Sequence, residues 1–402
     1  RQRQMCIRDR FKDVKIADFD EAVKSGMIEY VDESVYDTYL EKVMEQQVNP
    51  GVCKGADLKV VYTPLNGTGN KLVRKVLGKI GVNDVIVVPE QELPDGNFTT
   101  CPYPNPEIKE ALAKGLELCE KEQPDLLLAT DPDADRVGIA VKDYDGSYRL
   151  ISGNEDGVML TNYILSCKKA SGKLPEKPVV VKTIVTTKLI NKLCEKYGCE
   201  LKNVLTGFKY IGEQIKFFEQ QGTYEYEFGF EESYGCLVGT HARDKDAVVA
   251  VMALCEAAAY YKTKNMTLWD QMIQIFEKYG YYKEGQKAIT MKGAEGAEKI
   301  AELMDKLRNE TPKKFGSWDV LEARDYKKDE CVDLKTGEKK STGLPSSNVL
   351  YYALSDNAWC CARPSGTEPK IKFYMGVKGS NLADADAKLE ELTKAVMEVA
   401  GQ

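Results

Sequence analysis

The chain has 402 residues, and 56 Lys and Arg against 63 Asp and Glu leave a net charge of −7. That length suits about two to four domains, and the acidic balance excludes a general nucleic-acid binder, which would carry a basic face. No apolar run approaches the ~18 residues that cross a bilayer, so no membrane partner is expected and the cytoplasm is the default location.

The opening Arg1 to Arg10 lacks the apolar core of a signal peptide and does not read as part of a fold. Residues 1–48 are expected to be a non-native start followed by the remnant or linker of a missing first domain, with 11–48 polar and helical. A strand is expected from Asp57 to Val61, running into Gly67-Thr68-Gly69. The apolar spacing of Leu72, Val73, Val76, Leu77 and Ile80 predicts a helix. Strands at 85–88 and 126–129 bracket a helix over 106–119. The Asp145-Gly146 pair between 137–141 and 148–151 predicts a hairpin. Alternating strands and helices imply a parallel, doubly wound sheet over 49–152. The alternation repeats over 153–279 and ends on a long, nearly uncharged helix, 246–262, with Asp246 as its N-cap. From residue 280 strands group together with helices at the ends, which predicts an α+β domain over 280–402, with 311–347 as surface turns. The fold class is therefore α/β: two consecutive doubly wound α/β/α domains followed by an α+β C-terminal domain.

The 12 cysteines are scattered with no C-x-x-C and are expected to be reduced core residues. His241 is the sole histidine, so His-based metal sites and Ser-His-Asp triads lack material. It is read as a loop residue.

The densest chemistry lies at Leu126-Leu127-Leu128-Ala129-Thr130-Asp131-Pro132-Asp133-Ala134-Asp135-Arg136. An apolar strand stops at three carboxylates spaced two apart. If the chain continues extended, Asp131, Asp133 and Asp135 project to one side. Carboxylates that close together need a cation, and hard oxygen donors favour Mg²⁺ or Ca²⁺. An EF-hand is excluded because Arg136 replaces the glycine and Lys142 the final glutamate. A haloacid-dehalogenase-like phosphatase using Asp131 as nucleophile is one alternative, although Asp135 strains that pattern; a solvated acidic turn is another.

Arg363-Pro364-Ser365-Gly366-Thr367-Glu368-Pro369-Lys370 is the strongest anion signal. Hydroxyls and a curling backbone can form a nest, and Arg363 offers a planar fork for phosphate. Glu231-Glu232-Ser233 suits sugar hydroxyls as well as it suits a polar turn. Arg243 and Lys245 could meet phosphate or face water, and Thr206-Gly207 could be a ligand loop or plain turn chemistry. Lys182, inside an apolar strand, needs a partner.

In this order D-P-D-A-D-R, T-G-F-K, G-F-E-E-S, R-D-K-D and R-P-S-G-T-E-P-K resemble the α-D-phosphohexomutases, the phosphoglucomutase/phosphomannomutase family, from about residue 50 onward. Phe230 matches the phosphoglucomutase-2-like branch. The resemblance implies an intramolecular phosphotransferase acting on a hexose phosphate. Asp131, Asp133 and Asp135 would bind Mg²⁺, with Arg136 and Lys245 supporting catalysis. Glu231 and Ser233 would hold sugar hydroxyls, and Thr206 and Gly207 would help select sugar orientation. Lys182, Arg243 and Lys245 would line the cleft. Arg363, Ser365, Gly366 and Thr367 would grip the phosphate that does not react. The family's phosphoserine lies in a loop close to T-A-S-H-N-P, and these 402 residues contain no such stretch. The chain by itself is therefore expected to be nearly inactive as a mutase. A non-catalytic sugar-phosphate-binding protein is the further alternative.

Overall fold

A computed structural model describes residues 14–291, 294–366 and 368–401. Thr367, expected in the phosphate loop, and residues 1–13 of the expected non-native start lie outside them.

The described residues up to Lys42 and those from Val43 onward form two compact units. In the first, the Asp18 carboxylate accepts from the Glu21 N–H and caps a short helix, Phe19–Lys24. Among the described residues of 11–48 the expected helical character is divided between two helices. Gly26 takes φ 74°, which ends the first helix, and Glu33–Met44 is a second one.

In the second unit β1 (Lys59–Thr63), β2 (Asp84–Val87), β3 (Leu126–Thr130), β4 (Val137–Lys142) and β5 (Tyr148–Ile151) form one sheet of order β2-β1-β3-β4-β5. β1 runs parallel to β2 and β3, whereas β4 runs antiparallel to both β3 and β5, the latter pair closed by the predicted hairpin. Val61, Leu127, Ala129 and Ala140 share a core with Leu112 and Cys119 beneath helix Ala113–Glu122. A second sheet holds β6 (Pro178–Thr183), β7 (Glu200–Val204), β8 (Glu225–Phe230) and β9 (Cys236–Val238) in the order β7-β6-β8-β9, parallel except for β9.

Helix Ala247–Lys262 is apolar on nearly every side and is correspondingly buried. It packs on helix Gly69–Ile80 and on β9, so it joins the two sheets. Asp246 caps it as expected, accepting from the Val248 and Val249 N–H groups at 2.8 and 3.3 Å. Its one buried charge, Glu256, accepts from the Val48 N–H and Gln47 Nε2.

The C-terminal part is an antiparallel sheet of β10 (Tyr281–Thr290), β11 (Lys314–Phe315), β12 (Trp318–Asp325), β13 (Glu330–Asp333), β14 (Lys339–Lys340), β15 (Leu350–Leu354), β16 (Trp359–Pro364) and β17 (Lys370–Gly379). Helices Ala294–Asn309 and Leu382–Val399 cover one face through Ile300, Met304, Leu392 and Val396. The expectation of surface turns over 311–347 is corrected. β12 is an eight-residue strand between β13 and β15, with Trp318 and Val320 turned inward. Its polar alternate positions mask a strand whose partners lie far along the chain. The opposite face, with Tyr351, Trp359, Cys361 and Tyr374, packs on Ile184, Val185 and Leu205 of the second sheet's loops. Strand alternation sends the neighbours Cys360 and Cys361 to opposite faces. Every described cysteine is free and buried, as expected of core residues. The α/β class is thus realised as two consecutive α/β/α domains followed by a sheet-and-helix C-terminal domain.

Candidate active site

The three aspartates converge, but not by extended alternation. Residues 131–135 form the tight turn between antiparallel β3 and β4. The Asp131 N–H donates to the Arg136 carbonyl at 3.2 Å, and the Ala134 N–H to the Asp131 carbonyl at 3.0 Å. Ala134 adopts φ 57°, which folds the turn back. Carboxylate oxygens of Asp131, Asp133 and Asp135 lie within 4.8 Å of one another. The glycine-rich stretch after β1 supports this turn. The Thr68 N–H donates to the Pro132 carbonyl at 2.8 Å, and a Cβ on Gly67 would lie 2.3 Å from the Pro132 Cα.

Asp131 is fully buried. Its Oδ1 accepts from the N–H groups of Asp135 and Arg136 at 3.0 and 2.9 Å, and its Oδ2 from Arg136 Nε at 2.7 Å. Burial pushes its pKa up to about 6 against those donors. Lys245 Nζ pairs with Asp135 at 2.9 Å, and Arg136 also meets Glu107 at 3.3 Å. Asp133 is exposed. Three carboxylates against two cations leave the turn anionic, and Asp131 keeps one of its roughly four lone-pair sites beyond these three bonds. This all-oxygen donor set fits a hard divalent cation.

The turn Glu231–Gly235, between β8 and β9, adjoins the aspartate turn. Gly235 bridges Arg136 in antiparallel fashion, and the Val137 N–H donates to the Tyr234 carbonyl at 3.2 Å. Glu231 is nearly buried and accepts from the Gly207 N–H at 2.9 Å, which ties in the Thr206-Gly207 loop. Burial and then Glu232 raise its pKa to about 7, opposed by Lys245. Gly207 has φ 123°, which suits only glycine. The Thr206 hydroxyl is buried and makes no hydrogen bond among the described residues. Ser233 is half-buried in the turn.

On its other side the same turn meets the C-terminal sheet. Glu232 accepts from Thr183 Oγ1 at 3.1 Å. Its pKa is raised by burial, and the charges of Lys372 and Arg363 oppose that rise. Arg363 pairs with Lys372 in the β16–β17 register, so both cations lie on the face that carries Cys361 and Tyr374. Ser365 follows, with its N–H on the Lys370 carbonyl at 2.7 Å and its Oγ accepting from the Glu368 N–H at 3.3 Å. A cavity of about 180 Å³ opens where the three sheets meet, lined by Glu107, Ser152, Glu232, Tyr234, Glu284 and Tyr374. Ser365, Gly366 and Lys370 line another of about 410 Å³, closed by helix Ala294–Asn309. A third, of about 450 Å³ around Phe218, Glu219 and Tyr224, lies apart from this chemistry.

Two expected residues stand elsewhere. Lys182 is buried, not lining an open groove. Its Nζ donates to the carbonyls of Thr183 and Thr186 at 3.3 and 3.1 Å, and burial lowers its pKa to about 8. Arg243 turns to Glu219 at 2.6 Å, away from the aspartates that Lys245 reaches. His241 bonds the N-cap Asp246 at 2.8 Å, a structural contact. Glu107, Thr183, Lys372 and Tyr374 were not picked out from the sequence, because their only signal is strand register or contact between distant segments.

Residues 37–146 and 152–279 match the sequence patterns of phosphoglucomutase/phosphomannomutase alpha/beta/alpha domains II and III, in that order. The chain belongs to this family. Among its relatives in the family, a Staphylococcus saprophyticus phosphoglucomutase is 32% identical over 94% of this chain and 67% of its own length. A Staphylococcus aureus phosphoglucomutase is 34% identical over 89% of this chain and 63% of its own. The chain thus spans about two thirds of these relatives. The crystal structure of the Paramecium phosphoglucomutase pp63/parafusin, in its open form, superposes with a TM-score of 0.61 at 18% identity. It covers 92% of this chain and 62% of the Paramecium chain, a likeness of fold.

Proposed function

We propose that this chain is the metal-, sugar- and phosphate-holding part of a phosphohexomutase, one that interconverts glucose 1-phosphate and glucose 6-phosphate through a bisphosphorylated sugar. The observation that carries the reading is the position of Glu231–Gly235. One turn bridges to Arg136 beside the aspartate cluster through Gly235, and its Glu232 shares a cavity with Tyr374 of the C-terminal sheet and feels the charges of Lys372 and Arg363. A sugar held by Glu231 and Ser233 would then have one end at the metal turn and the other at the arginine.

Asp131, Asp133 and Asp135 would hold Mg²⁺, which when bound supplies positive charge to the phosphoryl oxygens. Arg136 and Lys245 add fixed charge beside it. Arg363, with Ser365, Gly366 and Thr367, would anchor the phosphate at rest. Phosphoryl transfer depends mainly on such positioning and charge, and each well-placed donor is worth about 3–4 kcal/mol of barrier. The donor serine of the family is absent from these 402 residues, so the chain is read as binding without appreciable turnover.

Calorimetry with glucose 1-phosphate and Mg²⁺, beside a coupled mutase assay on host-enzyme-free protein, tests this. Binding without turnover is expected. Turnover overturns the inactive part of the reading, and failure to bind overturns the whole. Binding that stays without turnover once a donor-serine domain is supplied favours a pure binding protein.

A further inference from the structure

Helix Gly153–Ala170 begins directly behind the sugar-facing turn. Its start is pinned by a capping box, in which Ser152 Oγ accepts from the Glu155 N–H at 3.2 Å and Glu155 Oε2 accepts from the Ser152 N–H at 2.8 Å. Gly153 and Gly157 stand four apart, on one helix face. Gly153 is pressed against the turn, and Gly157 against Phe230, the last residue of β8. A Cβ on Gly153 would lie 2.4 Å from the Glu232 carbonyl oxygen and 2.7 Å from the Tyr234 nitrogen. A Cβ on Gly157 would lie 2.0 and 2.1 Å from Cε2 and Cδ2 of Phe230. Phe230 is held from another side as well, stacked on Phe228 at 5.4 Å and 19°, and is almost wholly buried. Helix propensity works against glycine inside a helix, so Gly157 is present at a cost to that helix. The gain is a socket that fixes Phe230, and Phe230 is bonded directly to Glu231.

We propose that the first two turns of this helix are the platform that sets the height of the sugar-binding turn, with Gly153 and Gly157 as positioning residues and Phe230 as the part that seats in the socket. The inference rests on the functional reading above and adds to it the element that controls sugar affinity from behind. Gly157 faces the Phe230 ring and acts through it, while Gly153 also lines the cavity beside the turn. A misplacement of about 1 Å at such a site is enough to cost up to about a hundredfold.

The test measures glucose 1-phosphate and Mg²⁺ binding by calorimetry, and melting temperature, for the 402-residue chain and the variants G157A, F230L and G157A/F230L. In G157A the added methyl pushes the ring, and sugar-phosphate affinity is expected to fall about tenfold or more while Mg²⁺ affinity stays. In the double variant the smaller side chain makes room, and most of the lost affinity returns. F230L alone, with an under-filled socket, is expected to bind the sugar phosphate more weakly than wild type, which keeps the test decisive should G157A fail to fold. Wild-type affinity in all variants overturns the inference and leaves the functional reading standing. Parallel loss of Mg²⁺ binding overturns it too, since that marks general damage. Absence of sugar-phosphate binding by wild type instead removes the functional reading beneath it.

Discussion

Asp133→Asn is expected to weaken Mg²⁺ binding by at least about tenfold and to leave the melting temperature unchanged, whereas Asp131→Asn weakens both. Loss of an outer-shell partner already costs about 10–100-fold in metal affinity, and a direct ligand should cost no less. The two aspartates differ in what else they do. Asp133 is exposed, and none of the hydrogen bonds among the described residues ends on its carboxylate. Asp131 is fully buried and holds the turn together through two backbone N–H groups and Arg136 Nε. Weakening it deprives Arg136 of its shortest ion pair, 2.7 Å. Groups left short of a partner in this way cost about 1–3 kcal/mol each. Calorimetric Mg²⁺ titration with thermal melts of both variants checks this. Unchanged Mg²⁺ affinity in D133N would remove the aspartate turn as the metal site.

The second large effect is a pH-dependent stability difference at Asp156. This residue lies in helix Gly153–Ala170 with only 3% exposure, and its Oδ1 has no hydrogen-bond partner among the described residues. The titratable groups beside it are Tyr234 and Cys236, neither of them cationic. Burial raises its pKa from the ordinary 3.8 to about 8. The folded state therefore binds a proton between those values that the unfolded state has released. The stability linked to that proton is complete below 3.8, declines by about 1.4 kcal/mol per pH unit as pH rises, and is gone above about 8. D156N cannot ionise and escapes this decline. Calorimetric melting should show D156N several degrees above wild type at pH 8, with the gap narrowing or reversing by pH 5. Burial also raises Asp131, Glu231 and Glu284, but these are present in both proteins and cancel in the difference. A gap of equal size at both pH values would show that the carboxyl is not buried in its neutral form.

Much of the fold was legible because its signals are local. Alternating apolar strands and amphipathic helices over 59–262 carry their own periodicity, and the Asp145-Gly146 hairpin and the Asp246 cap are written in adjacent residues. Residues 314–340 were misread because β12 is half polar and its partner β15 lies in a later segment. The metal trio was found for a partly wrong reason. Spacing of two suggested an extended strand, yet the carboxylates meet through a turn with Ala134 at positive φ. Lys182 places a charge in an apolar strand, where it needs a partner, and only the family resemblance puts it in the cleft. In the folded chain the charge is met by two nearby carbonyls.

What the amino-acid order decided alone was the inventory: three hard carboxylates after an apolar strand, an arginine before a Ser-Gly loop, and the chain-order pattern that marks the family. The first two are short-range properties, set by neighbours in the chain, and the third is the order in which such motifs follow one another. Which of those groups come near one another was decided only by tertiary structure, where the Arg136–Gly235 bridge and the packing of Tyr351, Trp359, Cys361 and Tyr374 on Ile184, Val185 and Leu205 join segments far apart in sequence. No local propensity encodes such pairings, because they arise from burying whole sheet faces against one another.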